Sequence, residues 1–251
     1  MGYTSRKNMK LSKLQYLSVA IALASGCFAA AAAASPLVQY ELTGKLGTET
    51  SDAATTVAAG LTGMNLNAGA GLTPSAGLNA MSASGWNNLS PNDFFSLGFT
   101  VQPGFTATVD ELSAAVRSSA TGPGFMNLLY SLNGGPETLL ATLTMPNALF
   151  LDEDLHFSTL TVTSSIRFLF RAANTTAANG GTIGSAGTLR ISDYSPDGGS
   201  TFEPVTLNGS VTAVATAVPE PATGLLGVLG IALAGCLLRT TNAQNEDRVR
   251  I

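Results

Sequence analysis

An uncharged run of 17 residues, Ala222 to Leu238, sits near the end of the chain between Pro219-Glu220-Pro221 and Arg239. At a rise of about 1.5 Å per residue a helix over this run covers roughly 25 Å, the lower end of what spans a bilayer core. Two prolines fix the preceding backbone and remove donors, so the helix begins at or after Pro221. Arg239 closes the run, and Arg248 and Arg250 follow, as expected of a tail held on the cytoplasmic side. The pattern predicts a linker over residues 215–221, a single transmembrane helix over 222–238 and a cytoplasmic tail over 239–251. Everything upstream is then cargo held at a membrane.

The opposite end supports this reading. Arg6, Lys7, Lys10 and Lys13 precede an uncharged stretch from Leu14 to Ala34 that ends in alanines before Ser35. A basic start, an apolar centre and a small-residue close make a secretory signal peptide over residues 1–34. The alternatives are an uncleaved signal anchor and a lipoprotein signal ending at Cys27. The second half of the run is mostly alanine, too weakly apolar to hold well in lipid, which favours cleavage.

Between these ends lies an exported part without cysteine, because Cys27 and Cys236 both fall in the apolar end segments. A disulfide framework and a cysteine-based metal site are thereby excluded from it. Residues 35–218 carry five bases (Lys45, Arg117, Arg167, Arg171, Arg190) and thirteen acids, a formal charge of −8. That balance opposes nucleic acid and anionic lipid as partners, since both demand a basic face.

The exported part alternates with period two. Phe95, Leu97, Phe99 and Val101 share one strand face, and the period recurs in Met126, Leu128, Tyr130 and Leu132. It recurs again in Ile166, Phe168 and Phe170, and in Val205, Leu207, Gly209 and Val211. Turn signals separate the runs at Pro103-Gly104, Gly122-Pro123-Gly124, Asn133-Gly134-Gly135-Pro136 and Pro196-Asp197-Gly198-Gly199. The fold expected is all-β, a jelly-roll-like antiparallel β-sandwich over residues 35–214, flanked by the signal peptide and the transmembrane helix.

Candidate chemistry is sparse. His156 stands beside Asp152, Glu153 and Asp154, in what reads as an acidic solvated loop. No Gly-x-Ser-x-Gly elbow accompanies it, so a Ser-His-Asp hydrolase is not expected. Asp193, Ser195 and Asp197, followed by Gly198, place oxygens at positions 1, 3 and 5 and glycine at 6, the opening of a calcium loop. Pro204 stands at position 12, where that pattern has a bidentate glutamate, and the competing reading is a hairpin loop between the strands around Leu189–Ile191 and Val205–Val211. For stacking against a sugar the candidates are Trp86, Tyr130 and Tyr194; core packing is the stronger reading of Tyr130 and of Trp86, the sole tryptophan, and Tyr194 is the best exposed of the three. No catalytic residues are assigned, and calcium is the sole cofactor considered.

Val218-Pro219-Glu220-Pro221, the glycine-interrupted apolar run (Gly224, Gly227, Gly230, Gly235) and Arg239 resemble the sorting signal of PEP-CTERM proteins, a family of exported bacterial proteins. The resemblance implies recognition by an exosortase, a membrane-embedded protease and transpeptidase that acts near the Pro-Glu-Pro motif. The upstream part is similar to a β-sandwich that recurs on such proteins. The likeness runs through Gly69–Pro74, Ser84-Gly85-Trp86, Phe94–Val101, Arg117–Pro123, Tyr130–Gly134 and Gly187–Asp193. It implies a protein exported across the inner membrane, then membrane-anchored or released to the surface after processing. The function expected is a non-enzymatic structural or adhesive component of the extracellular matrix. The alternatives are a carbohydrate-binding module taking extracellular polysaccharide, with or without calcium, and more remotely a glycan hydrolase.

Overall fold

The structure is a computed structural model that describes residues 35–193 and 202–214. The signal peptide, the Pro-Glu-Pro linker with Val218 to Pro221, the apolar run and Arg239 lie outside the described residues, as do Tyr194, Ser195 and Asp197. Among the described residues no helix is long and apolar enough to cross a membrane.

Among the described residues fifteen strands form two antiparallel sheets facing each other, the β-sandwich expected from the alternation. The early strands are short: β1 (Ser35–Tyr40), β2 (Ser51–Asp52), β3 (Thr56–Val57), β4 (Leu61–Gly63), β5 (Leu66–Ala68), β6 (Thr73–Pro74) and β7 (Ala80–Ser84). A 3-10 turn at Trp86–Asn88 precedes the longer ones: β8 (Phe95–Val101), β9 (Phe105–Ser118), β10 (Phe125–Leu132), β11 (Glu137–Thr144), β12 (Phe150–Val162) and β13 (Ser165–Ala172). The last two are β14 (Leu189–Ser192) and β15 (Val205–Ala213). One sheet runs β11-β10-β13-β8-β5-β2, with β4 also on β8. The other runs β3-β1-β15-β9-β14-β7-β6, with β12 also on β9.

All four alternations read from the sequence are strands, and their apolar members face the core. Phe95, Leu97, Phe99, Phe168, Phe170, Leu128 and Leu207 are buried, while Tyr130 is half-buried against the core. Each fully buried side chain of this size stabilises the fold by roughly 1.5–3 kcal/mol. The register explains why β9 can carry three partners. β12 pairs with β9 along Ala107 to Arg117, while β15 covers Phe105 to Ser113 and β14 covers Ala115 to Ser118. Residues of β9 that pair with β12 therefore face β14 or β15 on their other edge. β14 and β15 lie end to end along one edge of β9 and do not form a hairpin. The hairpin expected around residues 193–204 is corrected accordingly: the chain leaves the edge after Ser192, opposite Ala115, and rejoins it at Thr206, opposite Ser113.

The acidic loop expected at residues 152–156 is also corrected. These residues belong to β12, whose Leu151, Leu155 and Phe157 pack against the core while Asp154 and His156 point outward and are exposed. Charge density suggested a loop, but the alternation of Leu151, Leu155 and Phe157 with polar neighbours is a strand signal.

One polar group joins the two sheets through the core. The Tyr40 hydroxyl, on β1, donates to the Met64 carbonyl (2.8 Å) and accepts the N–H of Gly98 on β8 (3.1 Å). Burial pushes this phenol up to about 12. Tyr40→Phe should leave the buried Gly98 N–H and the half-buried Met64 carbonyl without this partner and lower stability by about 1–3 kcal/mol, read from the urea midpoint at unchanged slope.

Candidate functional site

Because Phe95, Leu97 and Phe99 point inward on β8, Phe94 and Ser96 fall on the outer face of the sheet. On β13 the inward Phe168 and Phe170 likewise place Arg167, Leu169 and Arg171 outside. Register brings these together: Arg167 is opposite Gly98 on β8 and Ser131 on β10, and Leu169 is opposite Ser96 and Leu129. Leu169 is fully buried although it points away from the core, so the long side chains around it close over this part of the face.

Phe94 is half-exposed, with two guanidinium groups close to its ring. Arg171 Cζ is 5.6 Å from its ring centroid and Arg167 Cζ 6.0 Å. Glu137, at the start of β11, fixes Arg171 and faces Arg167. Arg171 binds it through two nitrogens, at 2.5 and 3.1 Å, and Arg167 Nη2 lies 3.6 Å away. Beside this group opens a recess of ≈ 360 Å³ lined by Asn65, Asn67, Phe94, Ser96 and Arg167 among others. A second recess of ≈ 250 Å³ is lined by Leu89, Ser90, Pro91, Asp93, Arg171 and Ala172. The face thus offers an aromatic surface, fixed donors and side-chain amides, with two of the five cations of residues 35–218 on one side of an otherwise acidic domain.

No family model matches the chain, and no curated protein matches it. Among solved structures it is similar to mutants of CBM29-2, a family 29 carbohydrate-binding module. One, complexed with mannohexaose, is 12% identical at a TM-score of 0.36, covering 70% of this chain and 92% of that one. Another is 13% identical at 0.36, covering 70% and 85%. A likeness of that degree transfers neither residues nor ligand.

Of the two readings of Trp86, core packing holds and the stacking role is corrected. Its side chain is fully buried, meets Phe95 edge-on at 5.3 Å and donates its Nε1–H to the Ala83 carbonyl at 2.9 Å. A ring so enclosed is core and cannot meet a sugar. The aromatic that does reach the outer face, Phe94, was not singled out from the sequence. Its parity was the available signal: Phe94 and Phe95 are adjacent, so one of the pair must face away from the core. Arg167 and Arg171 were legible in the same way, as same-face positions on either side of Leu169.

His156 lies on the outer face of the opposite sheet, its Nδ1 3.2 Å from Glu111 Oε2. The nearby Ser113 hydroxyl bonds to Glu111 and Asp154. That is not the order of a serine hydrolase, in which the histidine stands between nucleophile and carboxylate.

Asp193, first of the proposed calcium ligands, is buried and holds the turn after β1. Its Oδ1 accepts the Leu42 N–H and its Oδ2 the Thr43 hydroxyl, both at 2.9 Å. Burial pushes the carboxyl up to about 6, against the pull of these two donors, and the neighbouring Glu41 adds to the rise. The folded state therefore holds this proton more tightly than the unfolded chain. The resulting stability is complete below about pH 4 and is lost as pH rises through about 6. Urea unfolding should show a fall of roughly 2–3 kcal/mol or less between these values, and Asp193→Asn should flatten that segment of the profile.

Proposed function

We propose that this chain is an exported, surface-tethered, non-catalytic module that binds polysaccharide on the outer face of its seven-stranded sheet. The reading gives the carbohydrate-binding alternative precedence over a purely structural role. The observation that carries it is Phe94, half-exposed beside Arg167 and Arg171 at the edge of a polar recess. A pyranose has an apolar C–H face and a rim of hydroxyls. The phenyl ring supplies a flat apolar surface for the first, and Asn65, Asn67, Ser96 and Arg167 supply donors and acceptors for the second. Glu137 holds the Arg171 guanidinium before ligand arrives, which lowers the ordering cost of binding, and attracts that of Arg167.

A glycan array probed with the detergent-solubilised full-length chain tests this. Reproducible binding to one sugar class is expected. Phe94→Ala should weaken it by roughly tenfold or more, about 1.4 kcal/mol, with the thermal midpoint unchanged. Silence across the array, or equal binding by the variant, would return the protein to a structural role.

Tethering rests on the sequence: the signal peptide over residues 1–34, Pro219-Glu220-Pro221, the apolar run and Arg239. Exosortase processing near the Pro-Glu-Pro motif is the proposed route to the surface. Expression with and without an exosortase, followed by intact-mass measurement, should show loss of residues 222–238 with the enzyme alone. Retention in both hosts would reduce the segment to a plain anchor.

A further inference from the structure

The eight-stranded sheet, the one opposite Phe94, carries a second arrangement on its outer face. Two cross-strand rows run over β12, β9, β15 and β1. His156, Glu111, Asn208 and Pro36 form one row, and Asp154, Ser113, Thr206 and Gln39 the next. Within them His156, Glu111 and Asp154 each present one ligating atom, all within 4.8 Å of one another. His156 Nδ1 is 3.2 Å from Glu111 Oε2, and its Nε2 is 4.0 Å from Asp154 Oδ2.

We propose that these three side chains bind one divalent transition-metal ion, joining edge strand β12 to central strand β9. Three observations converge on this. The first is the donor set itself, one imidazole and two carboxylates on adjacent strands, which suits zinc and its first-row neighbours better than calcium with its six to eight oxygens.

The second is the surrounding shell. Glu111 Oε1 accepts from Asn208 Nδ2 at 2.7 Å and lies 3.1 Å from the Ser113 hydroxyl, which reaches Asp154 Oδ1 at 2.5 Å. One oxygen of each carboxylate is thus held by a neutral neighbour, and the other is turned toward the imidazole. Outer partners fix metal ligands in this manner.

The third is charge. Glu203 lines the same recess of ≈ 150 Å³ as Glu111 and Asp154. Among the described residues no lysine or arginine forms an ion pair with any of these three. Lys45 is held by Asp52, Arg167 and Arg171 by Glu137, Arg117 by the Ala148 carbonyl and Arg190 by the Ala76 carbonyl.

Bound zinc would set its donors about 3–3.5 Å apart, so the present 4.8 Å envelope closes by about 1.5 Å, within reach of side-chain rotation. His156 is 70% exposed and Asp154 44%, and neither is locked by packing. The fourth position is left to water or to an oxygen from outside the chain. An ion here would also occupy the face of β12, which among the described residues pairs on one side only.

His156 is the sole histidine of the chain, which makes the test specific. Tag-free full-length protein is titrated with zinc chloride while the imidazole resonances are followed by NMR. A saturable shift at one equivalent is expected, and millimolar calcium should not reproduce it. Glu111→Gln and Asp154→Asn should each weaken zinc by roughly tenfold or more without moving the apo melting temperature. An unshifted imidazole at millimolar zinc overturns the site, including the case where zinc is taken up by Cys27 or Cys236. Undiminished affinity in both variants overturns it equally.

Discussion

A single phenol holds the two sheets in step. Tyr40 reaches from β1 through the core to Gly98 in the centre of the opposite sheet and to Met64 before β5. Apolar packing is non-directional and would tolerate small slides of one sheet over the other. A buried hydroxyl between a fixed donor and a fixed acceptor does not. Gly98 is the matching constraint, since a Cβ there would lie 2.1 Å from the Ile166 carbonyl. Position 98 therefore stays bare, β8 and β13 lie close, and their outer residues are brought together. The grouping of Phe94, Arg167 and Arg171 depends on that approach.

Strands with an unbroken period of two were legible in the residues: β8, β10, β13 and β15 all follow their apolar alternation. The Asn133-Gly134 turn joining β10 to β11 was legible too, because both residues take positive φ, 52° and 75°. β9, the strand on which its sheet is built, was not. Its inward residues are Ala107 and Val109, then Leu112, Ala114 and Val116, so the parity changes at Asp110. Asp110 pairs with neither neighbour, and both registers shift there. β12 compensates with a parity change of its own between Phe157 and Leu160. A bulge breaks the periodic signal where it does the most to re-aim side chains.

The candidate residues were obscured for a related reason. Tryptophan and tyrosine are the obvious platforms for a sugar, and Trp86 is taken by the core, the stronger of its two readings. Phe94, Glu111 and Asp154 become informative through partners that register places beside them: Arg167 and Arg171 for the first, His156 for the others. Those pairings span more than forty residues of chain in most cases, beyond the reach of any local pattern. His156 was noticed, but its partner Glu111 stands on the strand that the bulge concealed.

The end-to-end placement of β14 and β15 bears on how such a domain could diversify. Ser192 and Thr206 stand opposite Ala115 and Ser113, so the intervening chain starts and ends at nearly the same place on β9. Its length is then decoupled from the register of every strand around it. Closing a longer excursion costs little, about 0.6 kcal/mol for each doubling of a flexible loop. Residues can be added, removed or exchanged there while the sandwich beneath stays as it is, which makes this junction a natural port for new sequence.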